Sequence, residues 1–195
     1  MSLLRRAIIA GGAAPSPPAP ACAVTLESPG IFGEFGAGAM DIDGQTATNP
    51  DGALRAAHTA TTVTPPAADD AIFIEWHYDP ADWSGAEGSN GVGVGDPTLG
   101  DALDVDLSGP VGQGNNALLF AVRNDGGTVG AAVYNSAGQL VDSRSLASVD
   151  EFYAYVFSSY AGGTVKFVTD PEQFVVPNPG PTGTSFDWCG DEIPS

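Results

Sequence analysis

Apolar and polar positions alternate along this chain in short runs, separated by glycine, proline, asparagine and aspartate. The clearest run is Ala71–Asp79. Ile72, Ile74, Trp76 and Tyr78 fall on one face of an extended strand, and Phe73, Glu75, His77 and Asp79 fall on the other. Asn116–Arg123 places Leu118, Phe120 and Val122 on one face. Asn124-Asp125-Gly126-Gly127 then makes a tight turn into Thr128–Tyr134, which predicts a hairpin. Asn135-Ser136-Ala137-Gly138 turns again into Gln139–Ser143. Glu151–Ser158 is an aromatic strand, with Tyr153, Tyr155 and Phe157 opposite Phe152 and Val156. Weaker strands are expected at Cys22–Glu27, Leu54–Val63, Thr164–Thr169 and Phe174–Pro177. Gly91–Gly95 reads G-V-G-V-G, a strand whose glycines allow close packing. No stretch of ten or more residues keeps a 3.6-residue period between helix caps. The pattern therefore predicts an all-β fold, an antiparallel sandwich or barrel.

The 195 residues suit one domain, and 43% hydrophobic content is enough to fill its core. Residues 11–20, GGAAPSPPAP, stand apart from the strand pattern. Prolines 15, 17, 18 and 20 favour an extended, semi-rigid spacer. The division expected is a flexible N-terminal arm and linker over 1–21, then a sandwich over 22–195. The arm carries Leu3, Leu4, Arg5, Arg6, Ile8 and Ile9, the only locally basic segment of the chain. Its apolar run is short and broken by Gly11-Gly12, which argues against a signal peptide.

Charge narrows the partners. Six Lys and Arg face 24 Asp and Glu, a net charge of -18. Such a chain repels phosphate backbones and anionic bilayers, so neither nucleic acid nor membrane is expected as a partner. No apolar run is long enough to span a bilayer. An acidic surface of this kind also keeps a protein soluble, and it suits salty medium, where screening is strong.

Candidate chemistry is sparse. Glu75, His77 and Asp79 share a strand face, but a rise of about 3.3 Å per residue puts Glu75 roughly 13 Å from Asp79. Glycosidase carboxylates need about 5–9.5 Å, so the pair fails and no catalytic residue is assigned. The face is expected to be solvated or to line a groove. His58 lies outside any nucleophile motif and is expected to be exposed. Asp96, Asp101, Asp104 and Asp106 are expected to cluster in one acidic loop. Calcium takes such oxygen ligands, but the spacing is not that of an EF-hand and no glutamate closes it. A solvated loop is the expectation and calcium the alternative, so no metal or other cofactor is assigned. Among the aromatics, Trp83 sits between Asp82 and Ser84-Gly85 in an expected loop, and is the candidate to stack on a sugar or partner. Trp188, beside Cys189, is expected to pack against the end of the domain.

The order of these pieces resembles the SPRY domain, a concanavalin A-like jelly-roll sandwich, in the form met in bacteriophage virion proteins. The resemblance is carried by Ile72-Phe73-Ile74-Glu75-Trp76 and by Gly91-Val92-Gly93-Val94-Gly95. It continues through Thr128–Tyr134 with Ala137-Gly138-Gln139-Leu140, then Phe152–Val156 with Gly162–Phe167. It ends at Phe174-Val175-Val176-Pro177 and Pro181-Thr182-Gly183, and covers roughly residues 22–188. The usual Asn-Phe-Gly after the penultimate strand is replaced by Lys166-Phe167-Val168, and Ser28–Asn49 is unusually glycine-rich.

The resemblance implies binding or structural work through loops, without catalysis. The protein is expected to be a head-decoration or tail-fibre component on the virion surface, oligomeric in the particle. Its arm would attach it to other virion proteins, and a host surface glycan is the candidate ligand. The expected binding surface is Asp82-Trp83-Ser84 with Asp96–Asp106. A secreted carbohydrate-binding module and a glycan-active enzyme are the alternatives. The first and last strands of such sandwiches lie close together, so Cys22 and Cys189 are a candidate disulfide in an oxidising exterior.

Overall fold

A computed structural model describes residues 24–28, 39–146, 149–169 and 183–194. The strands follow in chain order: β1 (Leu26–Glu27), β2 (Asp41–Asp43), β3 (Thr46–Thr48), β4 (Arg55–Thr59), β5 (Ala71–Tyr78), β6 (Asn90–Asp96) and β7 (Asp101–Asp106). After the one-turn helix α1 (Pro110–Gln113) come β8 (Ala117–Asp125), β9 (Thr128–Tyr134), β10 (Leu140–Ser145), β11 (Tyr153–Ser158), β12 (Thr164–Val168) and β13 (Ser185–Phe186). They form two sheets, β1-β4-β11-β6-β7 and β10-β9-β8-β5-β12-β3-β2. All pairs on these paths are antiparallel. The short β13 pairs in parallel with the start of β5. The fold is an all-β antiparallel sandwich. Cys22 and the Phe174–Pro177 segment lie outside the described residues.

Alternation builds the core. Ile74, Trp76 and Tyr78 of β5 point inward with Leu118, Phe120 and Val122 of β8. Across the gap they meet Val92 and Val94 of β6, Leu103 and Val105 of β7, and Ala154 and Val156 of β11. The β8–β9 hairpin closes through Gly126-Gly127 at φ +59° and +95°, the two left-handed positions that a type I′ turn demands.

The G-V-G-V-G strand has a specific packing logic. Its valines face the core, and its glycines face outward beneath two rings of β11. A Cβ on Gly91 would stand 2.5 Å from the Phe157 ring, and one on Gly93 would stand 2.8 Å from the Tyr155 ring. Two aromatics thus lie over backbone that no larger residue could supply.

The sequence expectations need correction at four places. Asp96–Asp106 is not one loop. Asp96 ends β6, Asp101 begins β7, and the two stand opposite each other in register. Glu75 does not face solvent; it is fully buried on the outer face of its sheet and hydrogen-bonded to His77. His58 is buried as well. Its Nδ1 donates to the Thr59 carbonyl at 2.8 Å, and its ring meets Tyr153 edge-on at 4.8 Å. Trp83 is a core residue, as set out below.

Candidate functional site

The sandwich opens where its two sheets end side by side, at β7 and β10. Arg144 of β10 ties the two edges together, donating to the carbonyls of Gly100 and Ala102 at 3.0 Å each. Beyond this clasp the edges part and leave a cleft of about 320 Å³. Val105, Pro110, Val111 and Val141 line it with apolar surface. Asp104, Asp106 and Asp142 line it with carboxylates.

Each wall has a local cause. On β7, alternation sends Leu103 and Val105 into the core, and Asp104 and Asp106 are exposed on the other side. On β10 the register passes from Leu140↔Tyr134 to Asp142↔Val133, which makes Val141 the extra residue of a bulge. Val141 packs against the core from this edge, and Asp142 next to it is exposed. The third wall is α1. Its Gly112 backs onto Leu107 so closely that a Cβ would lie 2.4 Å from the Leu107 backbone. The Tyr78 hydroxyl donates to the Gly112 carbonyl at 3.1 Å and anchors the turn from below.

The carboxylates differ in their hydrogen bonds. Asp106 Oδ1 accepts from the Ser108 amide at 2.8 Å and its hydroxyl at 2.6 Å, holding the chain as it leaves β7. Asp104 Oδ2 accepts from the Tyr155 hydroxyl at 3.1 Å. Burial, the Asp104 charge and that hydrogen bond together push the Tyr155 phenol up from its ordinary value. Asp142 Oδ1 accepts from the Ser143 amide at 2.8 Å.

The structure therefore brings only part of the expected surface together. Asp104 and Asp106 share the cleft, while Asp96 caps a 3-10 turn through the Thr98 amide at 2.8 Å. Asp101 lies 4.0 Å from Arg144, at the clasp. Asp82 and Ser84 are exposed on the 3-10 turn Pro80–Trp83 and its cap, which packs against α1 behind the cleft. Trp83 between them is fully buried. Its ring lies on Gly163, where a Cβ would meet it at 2.5 Å, and beside Tyr160 at 6.5 Å between ring centres. It therefore presents no face to a sugar or a partner. Asp82 and Ser84 are exposed on the turn that carries the indole inward, and the same pattern in sequence reads as an exposed loop.

Val141, Asp142, Pro110 and Val111 were not candidates from sequence. Nothing local links residues 141–142 to residues 104–111, because they meet only as edges of different sheets. Among the described residues, no three His, Cys, Asp or Glu side chains come together to hold a metal ion. Cys189 is disulfide-bonded, and the chain's other cysteine, Cys22, lies outside the described residues. Trp188 packs edge-on against Phe167, at 5.9 Å between ring centres and 84° between planes.

No family model matches the chain, and no curated protein matches it. Among solved structures it is similar to the SPRY domain of human HERC1, with a TM-score of 0.47 and 13% identity over 65% of this chain and 89% of that one. It is also similar to the PSpry domain of TRIM65, with a TM-score of 0.41 and 12% identity over 73% of this chain and 91% of that one.

Proposed function

We propose that this protein is a non-enzymatic interaction domain, carried on the outside of a phage particle and attached through its N-terminal segment. The observation that carries the binding part is the cleft between β7 and β10, an apolar floor with three carboxylates around it. Such a site suits docking of a basic and apolar chain segment, because opposite charge steers and orients while the floor supplies burial. The disulfide at Cys189 favours an oxidising exterior over the cytosol. The phage setting rests on the sequence resemblance alone. The glycan part of the expectation loses its stacking platform with Trp83 buried, so a structural and attachment role is the stronger reading.

The test is co-sedimentation. Particles from a producing culture are banded on a density gradient and labelled with an antibody to this protein. The expected result is label on the outside of intact particles, absent when residues 1–20 are deleted. Recovery of the protein only as free material would refute the virion setting. Full particle occupancy by the truncated protein would refute attachment through the arm.

A further inference from the structure

We propose that the cleft between β7 and β10 is the docking site for residues 1–10 of a second copy of this chain, linking neighbouring subunits head to tail. This rests on the reading of that segment as the attaching arm.

Two observations select the occupant. The first is charge. Residues 1–10 hold Arg5 and Arg6 and no acidic residue, while the rest of the chain has four basic side chains against all 24 acidic ones. Flanking the arginines are Leu3, Leu4, Ile8 and Ile9, a complement to the valine and proline floor of the cleft. Asp106 and Asp142 supply exposed carboxylates on two different walls, so a pair of adjacent arginines can be held from both sides.

The second observation is reach. The first strand, β1, lies at the opposite edge of the five-stranded sheet from β7. Four strand spacings separate these edges, on the order of 19 Å. A ten-residue spacer with this proline content extends roughly 31 Å and resists turning back. A stiff spacer favours an acceptor on a neighbouring subunit over a turn back to the chain's own cleft. A contact between unlike surfaces of identical chains gives a ring or an open array, as an assembled particle surface requires.

Sedimentation velocity on the full chain at low salt tests this. Three proteins are compared: the unaltered chain, Arg5→Asp/Arg6→Asp, and Asp106→Lys/Asp142→Lys, each checked for folding by circular dichroism. The unaltered chain is expected to associate, with affinity falling as salt rises. Either double reversal should weaken self-association at least about tenfold through like-charge contact. Mixing the two reversed chains should restore association between them. A monomeric unaltered chain overturns the proposal. So does loss of association with the arm reversal but not with the cleft reversal, and that result leaves the arm as an attaching segment with a different acceptor. Failure of the mixed pair to associate after both reversals weaken self-association also overturns it.

Discussion

Replacing Trp83 with alanine should unfold this protein at a markedly lower temperature and leave any surface interaction to fail only through instability. The indole is wholly buried in the main core between the two sheets. A tryptophan buries about 150–250 Å², worth on the order of 4–6 kcal/mol at about 25 cal/mol per Å². Alanine retains a little of that, and the surroundings close only part of the space. Gly163 beneath the ring has no side chain with which to fill the void, and Tyr160 beside it is held through its amide, which donates to Ser158 Oγ at 3.0 Å. A loss of about 3–5 kcal/mol follows. For a domain of this size that corresponds to roughly 6–20 °C in melting temperature. Trp83→Phe should cost far less, because the Trp83 Nε1 has no hydrogen-bond partner among the described residues and most of the ring volume survives. Urea denaturation followed by circular dichroism measures both variants. A Trp83→Ala loss below about 1 kcal/mol would refute the reasoning, since it would mean that the ring spends much of its time outside the core.

Gly93→Ala should destabilise the fold by about 1–3 kcal/mol, although alanine is normally harmless in an extended strand. The new Cβ would stand 2.6 Å from the Leu103 carbonyl and 2.8 Å from the Tyr155 ring, and the same denaturation assay reads the effect. The unreduced, denatured protein should show no titratable thiol, since Cys189 is bonded. Reduction should lower stability by roughly 4–5 kcal/mol if the bond closes the long loop back to Cys22. Tyr78 and Tyr155 should resist ionisation in the folded state, Tyr78 through burial alone and Tyr155 through burial and the Asp104 charge. Their contribution is fully present below the ordinary tyrosine value near pH 10 and is lost as pH rises above it, because only the unfolded chain ionises freely there. Absorbance at 295 nm during an alkaline titration should therefore show these two phenols appearing with unfolding. Smooth ionisation of all five tyrosines in a folded protein would be the contrary result.

Much of the fold was legible along the chain. Ile72, Ile74, Trp76 and Tyr78 at every second position can bury together only if the segment is a strand with one face inward. Gly126-Gly127 after Asn-Asp could only be the turn of a hairpin, since residues with side chains rarely adopt both positive φ angles. Even β7 carried its signal. Leu103 and Val105 alternate with Asp104 and Asp106, but the density of aspartate read as a loop because aspartate disfavours strands. Alternation outranks propensity here, since two buried apolar side chains outweigh the small intrinsic cost of their exposed neighbours.

What only the tertiary structure decided was which positions share a place. The sequence placed polar residues on either side of Trp83, and polarity of neighbours says nothing about whether a ring points in or out. That depended on Gly163, eighty residues away, leaving room for it. The cleft depended on the same kind of distant meeting. Asp106 and Asp142 belong to different sheets, and their approach follows from strand order and the bulge at Val141. Side-chain direction within a strand is set by a period of two residues and can be read locally. The pairing of sheet edges is set by how two whole layers pack, and no local period encodes it.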